Sequence, residues 1–135
     1  MNRGRITITI ALLIIIGVGI LGYSLTVYKP APVVVDPNAT FSGYIESEQA
    51  TRYHSIRVHE NVTGIHFVLS CGWSDFDLYG RLGQLPSRNY NDFESIASGG
   101  EDYYYSDPLP GLWHLMIYSY TGIGQYNLYI DFDYA

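Results

Sequence analysis

Hydrophobic and polar positions divide the chain of 135 residues into three stretches of different rhythm. Ile6 to Val27 is an apolar run of 22 residues without a charge. As a helix it rises about 1.5 Å per residue, roughly 33 Å in all, enough to cross a hydrocarbon core. Thr7 and Thr9 fit this reading, because a helical hydroxyl can bond back to a carbonyl one turn earlier. Lys29 to Asn38 then carries three prolines in ten residues, which blocks a helix and favours an extended, semi-rigid stalk. Within it Val33 to Val35 is a short β-prone piece that could pair with a sheet edge, although a plain spacer is the simpler expectation. From residue 40 onward the period becomes two.

In that last stretch Tyr53 to His59 alternates, with His54, Ile56 and Val58 on one face and Ser55, Arg57 and His59 on the other. Glu60-Asn61-Val62-Thr63-Gly64 breaks the pattern with turn chemistry. Ile65, Phe67, Leu69 and Cys71 form the inner row of a second strand, opposite His66, Val68 and Ser70. In Asp77 to Leu82 the phase turns Leu78, Gly80 and Leu82 inward and Asp77 and Tyr79 outward. Gly83 to Gly100 is polar and turn-rich, with one short strand near Ile96. Asp102 to Tyr105 reads as another strand, stopped by Asp107-Pro-Leu-Pro-Gly111. Trp113, Leu115 and Ile117 share a face, as do Tyr126, Leu128 and Ile130 after the Gly122-Ile-Gly124 turn. About eight short strands with turn chemistry between them predict a mainly β fold, a single antiparallel two-sheet sandwich of jelly-roll or Ig-like kind.

Four segments in this region carry a family resemblance. Asp75-Phe76-Asp77-Leu78-Tyr79 follows an apolar strand; Gly99-Gly100-Glu101 and Pro110-Gly111-Leu112-Trp113-His114-Leu115 come next; Gly122-Ile123-Gly124-Gln125-Tyr126-Asn127-Leu128 ends the series. In order and spacing, over roughly residues 42–133, they resemble the bacterial and archaeal pre-peptidase C-terminal (PPC) domain. The resemblance implies a compact β-sandwich with Leu78, Gly111, Trp113, Gly124 and Tyr126 in structural roles, and an accessory or binding function. The chain departs from the family pattern in its tyrosine load, and no catalytic domain is expected among these residues beside the sandwich.

Arg3 and Arg5 flank the N-terminal end of the apolar run, so the positive-inside rule leaves a cytoplasmic stub (1–5) and exports everything after the span. The expected organisation is that stub, a transmembrane helix (6–28), a stalk (29–39) and a sandwich (40–135), making a single-pass cell-membrane protein with its C-terminal head outside. A cleaved signal peptide is the rival, but its apolar region normally spans only about 7–15 residues. Arg3-Gly4-Arg5 ahead of the run also resembles the leader of type IV pilin-like proteins, in which the apolar helix becomes a filament core.

Composition narrows the chemistry. Seven Lys and Arg against thirteen Asp and Glu, a net charge of -6, exclude a sequence-independent nucleic-acid binder. One cysteine excludes a disulfide framework and multi-cysteine metal sites, and Cys71 reads as a small buried hydrophobe. Asp75, Asp77, Asp92, Glu101 and Asp102 are the candidate oxygen ligands for Ca²⁺, a cofactor that collagenase relatives of the resembling family also suggest. His54, His59, His66 and His114 show no tight ligand spacing. Fourteen tyrosines make aromatic patches the candidate platform for a protein or glycan, with Tyr103, Tyr104, Tyr105, Tyr118 and Tyr120 foremost. Asn38-Ala39-Thr40 and Asn61-Val62-Thr63 are sequons on the exported side.

No G-x-S-x-G elbow or other nucleophile motif is present, so the expectation is no enzymatic activity. The expected function is a membrane-anchored extracellular module for adhesion or envelope assembly, with self-association as a further expectation. A pilin-like filament subunit and an accessory subunit of a membrane enzyme or transporter are the alternatives.

Overall fold

The structure is a computed structural model that describes residues 33–34 and 38–135. The expected stub, membrane helix and most of the stalk lie outside the described residues. Nine strands follow in order: β1 (Val33–Val34), β2 (Asn38–Ile45), β3 (Thr51–Val58), β4 (Val62–Ser70), β5 (Asp75–Leu82), β6 (Phe93–Ser95), β7 (Glu101–Ser106), β8 (Gly111–Thr121) and β9 (Gly124–Tyr134). One sheet has the order β1-β3-β8-β5-β6 and the other β2-β9-β4-β7. Among the described residues no segment is helical.

The fold is mainly β, with the two sheets forming a sandwich. Every connection except β5 to β6 passes from one sheet to the other. Within each sheet, every strand except β5 and β6 therefore pairs only with strands that do not adjoin it in sequence, while its apolar row faces the other sheet. Ile56 and Val58, Ile65, Phe67 and Leu69, Phe76 and Leu78, Trp113, Leu115 and Ile117, and Leu128 and Ile130 meet in one buried cluster. Burying each such side chain contributes about 1.5–3 kcal/mol, and this row-on-row packing is what fixes the register. Gly111 and Gly124 begin β8 and β9 at φ 142° and 144°, a backbone region that side chains resist.

Three details differ from the sequence expectation. Val33–Val34 is not spacer but a strand, parallel to β3 with Val33 opposite Ser55, so the five-stranded sheet is antiparallel only from β3 onward. β2 begins at Asn38 and buries Ala39, so the sandwich starts within the expected stalk. The short strand expected near Ile96 is Phe93–Ser95, and Ile96 itself is exposed. Phe93 takes the inward position because its ring fits over Gly80 on the neighbouring strand.

Candidate functional site

The outward face of β5 and β8 is not ordinary solvated sheet. Asp77 and Tyr79 point outward as the alternation requires, yet both are buried, at 5% and 2% exposure. Tyr118 lies directly opposite Asp77 and Met116 opposite Tyr79, so Tyr79, Met116 and Tyr118 form a second, smaller apolar cluster outside the sheet. The loop 83–92 shields this face. A turn closed by Ser87 and Tyr90, with Asn91 Nδ2 donating to the carbonyls of Ser87 and Arg88, shapes the loop. Asp92 ties its end back, its amide donating to the Gly80 carbonyl and its carboxylate accepting from the Leu82 amide at 2.8 Å.

This loop sets the Arg88 guanidinium 4.6 Å above the Tyr118 ring, a cation–π geometry. Beside it opens a pocket of ≈ 340 Å³ lined by Asp75, Asp77, Tyr79, Arg88, Ile96, Ser98 and Tyr120. Tyr79 Oη donates to Asp77 Oδ2 at 3.2 Å. Burial pushes the Asp77 carboxyl above the usual range, and the neighbouring Asp75 charge adds to this. Asp75 itself accepts from the Gly99 amide at 2.9 Å, which anchors the loop ahead of β7. The pocket thus combines fixed carboxylates, one guanidinium and two phenol rings, groups suited to orienting a bound partner.

The five candidate calcium ligands do not come together. Asp75 lies near enough to add to the raised proton affinity of Asp77, and Asp77 and Asp75 both add to that of Glu101. Asp92 sits at the opposite end of β5, bonded to Leu82, and Asp102 faces solvent on the other sheet. Among the described residues no three His, Cys, Asp or Glu side chains are arranged to hold a metal ion. Glu101 is instead a buried acid that faces the interior. Ser95 Oγ donates to its Oε2, while Oε1 is buried without a partner. Burial is the chief reason its carboxyl is pushed up.

The five candidate tyrosines also separate, because alternation sends them to different layers. Tyr103 and Tyr105 point inward and pack on Phe93, at ring distances of 5.3 and 5.1 Å. Tyr105 also meets Trp113 edge-on at 5.3 Å. Tyr104 is exposed on the outer face of the four-stranded sheet, its Oη donating to Asp133 at 2.9 Å. Tyr118 is buried under Arg88, and Tyr120 alone of the five reaches the pocket. Tyr126, a structural residue in the sequence reading, is buried with its Oη 2.8 Å from His54 Nε2.

His54 is inward as expected, stacked on Phe41 at 4.3 Å, and burial lowers its pKa to about 4. His114 bonds Ser55 Oγ at 2.9 Å, and His66 bonds Asp102 at 2.6 Å. Cys71 is buried, its thiol donating to the carbonyls of Ser74 and Gly99, and burial pushes its pKa up. A thiol so held is a poor nucleophile. Asn61 is exposed in the turn between β3 and β4, and Asn38 is exposed at the start of an edge strand.

Arg88 was not legible as a site residue, since it sits in a loop with no periodicity. The available hint was Met116, an apolar residue on the outward phase of β8, which implies that something covers that face. No protein-family model matches the sequence, and no curated protein matches it. Among solved structures, the fold is similar to the pre-peptidase C-terminal domain of a collagenase from Bacillus anthracis, at 16% identity and a TM-score of 0.56 over 77% of this chain and 99% of that one. It is also similar to a periplasmic inhibitor of g-type lysozyme from Aeromonas hydrophila, at 11% identity and a TM-score of 0.52 over 77% of this chain and 100% of that one. The sandwich is therefore PPC-like in fold.

Proposed function

We propose that this protein is a membrane-anchored, non-enzymatic binding module whose sandwich is presented outside the cell and engages a protein or glycan through the pocket beneath Arg88. The observation that carries the reading is the pocket's construction. Arg88, Asp75 and Asp77 are held by a cation–π contact, a loop amide and a phenol, so little side-chain freedom is lost when a partner binds. The same groups form no nucleophile–base pair, and the buried Cys71 thiol lies outside the pocket lining. The fold neighbours lend support of a general kind, since one is a domain of a peptidase and the other an inhibitor that acts on an enzyme. Export and anchoring rest on the 22-residue apolar run with Arg3 and Arg5 before it.

Two measurements test this reading. A photo-crosslinking residue in place of Tyr120 in the full chain, expressed in its native cell, is expected to trap one predominant partner. The Arg88→Ala change should reduce that product severalfold without altering the amount of protein. Equal trapping with and without Arg88 would remove the pocket from the reading. Intact mass and N-terminal sequence of the native protein test the anchor: a start at Met1 or Asn2 supports it, while a start at Arg5 transfers the reading to a pilin-like filament subunit. A start near Leu25 makes the protein a released domain.

A further inference from the structure

The outer face of the four-stranded sheet is chemically unlike the rest of the surface. All four arginines of residues 38–135 (Arg52, Arg57, Arg81 and Arg88) lie on β3, β5 or the loop 83–92, and so belong to the five-stranded sheet. The other sheet turns Asp131 and Asp133 of β9 and Asp102 of β7 outward, with His66 of β4 as the one basic side chain among them. Tyr104 and Tyr129 stand on the same face, 52% and 41% exposed. In register, Asp131 is opposite His66 and His66 opposite Tyr104, while Tyr129 is opposite Val68 and Val68 opposite Asp102. Strands about 4.8 Å apart and a rise of about 3.4 Å per residue therefore set Asp131 and Asp102 roughly 12 Å apart across the sheet.

We propose that this face docks a protein surface rich in arginine and lysine. Carboxylates spread over such a distance suit separate cationic side chains rather than one shared ion, in keeping with the absence of any three-ligand cluster among the described residues. The phenol faces between them favour a guanidinium or ammonium lying over the ring. Neighbours hold the carboxylates in place: Tyr104 Oη lies 2.9 Å from Asp133, and His66 lies 2.6 Å from Asp102. Each retains oxygen lone pairs for an incoming donor, so the face is pre-organised yet unsaturated. The acidic balance of the head, four arginines against twelve acids in residues 38–135, steers a basic partner toward it and repels anionic lipid and nucleic acid. None of this depends on the pocket beneath Arg88, which lies on the other sheet.

The test uses the full chain in detergent micelles and a labelled peptide of alternating arginine and serine, with a glutamate–serine peptide for comparison. The arginine peptide is expected to bind, more weakly as salt rises, and the glutamate peptide not to bind. Replacing Asp102, Asp131 and Asp133 together by Asn should weaken binding by roughly tenfold, from three contacts worth about 0.5 kcal/mol each. Glu46→Gln, Glu60→Gln and Glu94→Gln together make the same change in net charge elsewhere and should cost less than about twofold. Tyr129→Ser keeps every charge and should weaken binding about threefold through the lost ring. Equal losses from the two triple variants, or no binding by the unaltered protein, would overturn the proposal. So would unchanged binding in Tyr129→Ser should the aspartate triple variant not fold.

Discussion

Replacing Phe93 by Ala should unfasten one edge of the sandwich. Strand β6 is only three residues long and pairs with β5 through Leu78–Ser95, Tyr79–Glu94 and Gly80–Phe93. Its hold on the core comes from the Phe93 ring, 4% exposed, which lies over Gly80 and meets Phe67 at 5.1 Å, Tyr103 at 5.3 Å, Tyr105 at 5.1 Å and Trp113 at 6.1 Å. Removing a ring that buries about 150 Å² costs about 4 kcal/mol at 25 cal/mol per Å², within the usual range for a buried Phe→Ala change. Against a domain stability of about 5–15 kcal/mol this is about a quarter or more, and it corresponds to a fall of about 15–30 °C in Tm. Phe93→Leu keeps most of the volume and should cost only about 1–1.5 kcal/mol. Urea unfolding followed by tryptophan fluorescence reads this directly, because Trp113 is buried while Trp73 is fully exposed and changes little. A loss below about 1 kcal/mol for Phe93→Ala would refute the reasoning. It would mean that the Tyr103 and Tyr105 rings are not core residues and are free for a role at the surface.

Two pH effects of opposite sign follow from buried groups. His54 is held at about 4 by burial, whereas in the unfolded chain it titrates near 6.5. Stability should therefore be complete above about pH 6.5 and fall by about 2 kcal/mol toward pH 4, allowing for solvent screening of a half-buried ring. His54→Phe should flatten that slope in urea midpoints measured across the range, at some cost at neutral pH because Tyr126 Oη loses its partner. Glu101 behaves in reverse: its carboxyl is pushed up from 4.5 in the fold, so the unfolded chain releases its proton first and stability declines as pH rises above that value. Glu101→Gln should remove this decline, and an unchanged pH profile in that variant would show that the buried acid is not its source.

The sandwich was legible from alternation because period-two rows have a local cause. Ile65, Phe67 and Leu69, or Trp113, Leu115 and Ile117, are buried wherever their strand ends up, since water excludes the same face in any sheet. Strand β2 escaped that reading because its inward row, Ala39, Phe41, Gly43 and Ile45, is thinned by a glycine and an alanine and begins beside a proline-rich stretch. The calcium set and the tyrosine set are parted by two effects: alternation turns Glu101, Tyr103 and Tyr105 inward, and the assignment of strands to sheets divides the residues that point outward. Phase places a residue inside or outside its own strand, but not on which sheet that strand falls. Asp102 and Asp77 both point outward, and so do Tyr104 and Tyr118, yet each pair lies on opposite sides of the molecule.

What the residues determined alone was the class of fold, the inward rows and the acidic, tyrosine-rich, cysteine-poor character of the surface. Only the tertiary structure decided which outward residues share a face, because seven of the eight connections among the described strands switch sheets and so turn the outward faces of consecutive strands to opposite sides. It also decided that Asp77, Tyr79 and Tyr118 are buried. That burial is the work of the loop 83–92 folding back over β5 and β8, a contact between segments that no local periodicity encodes.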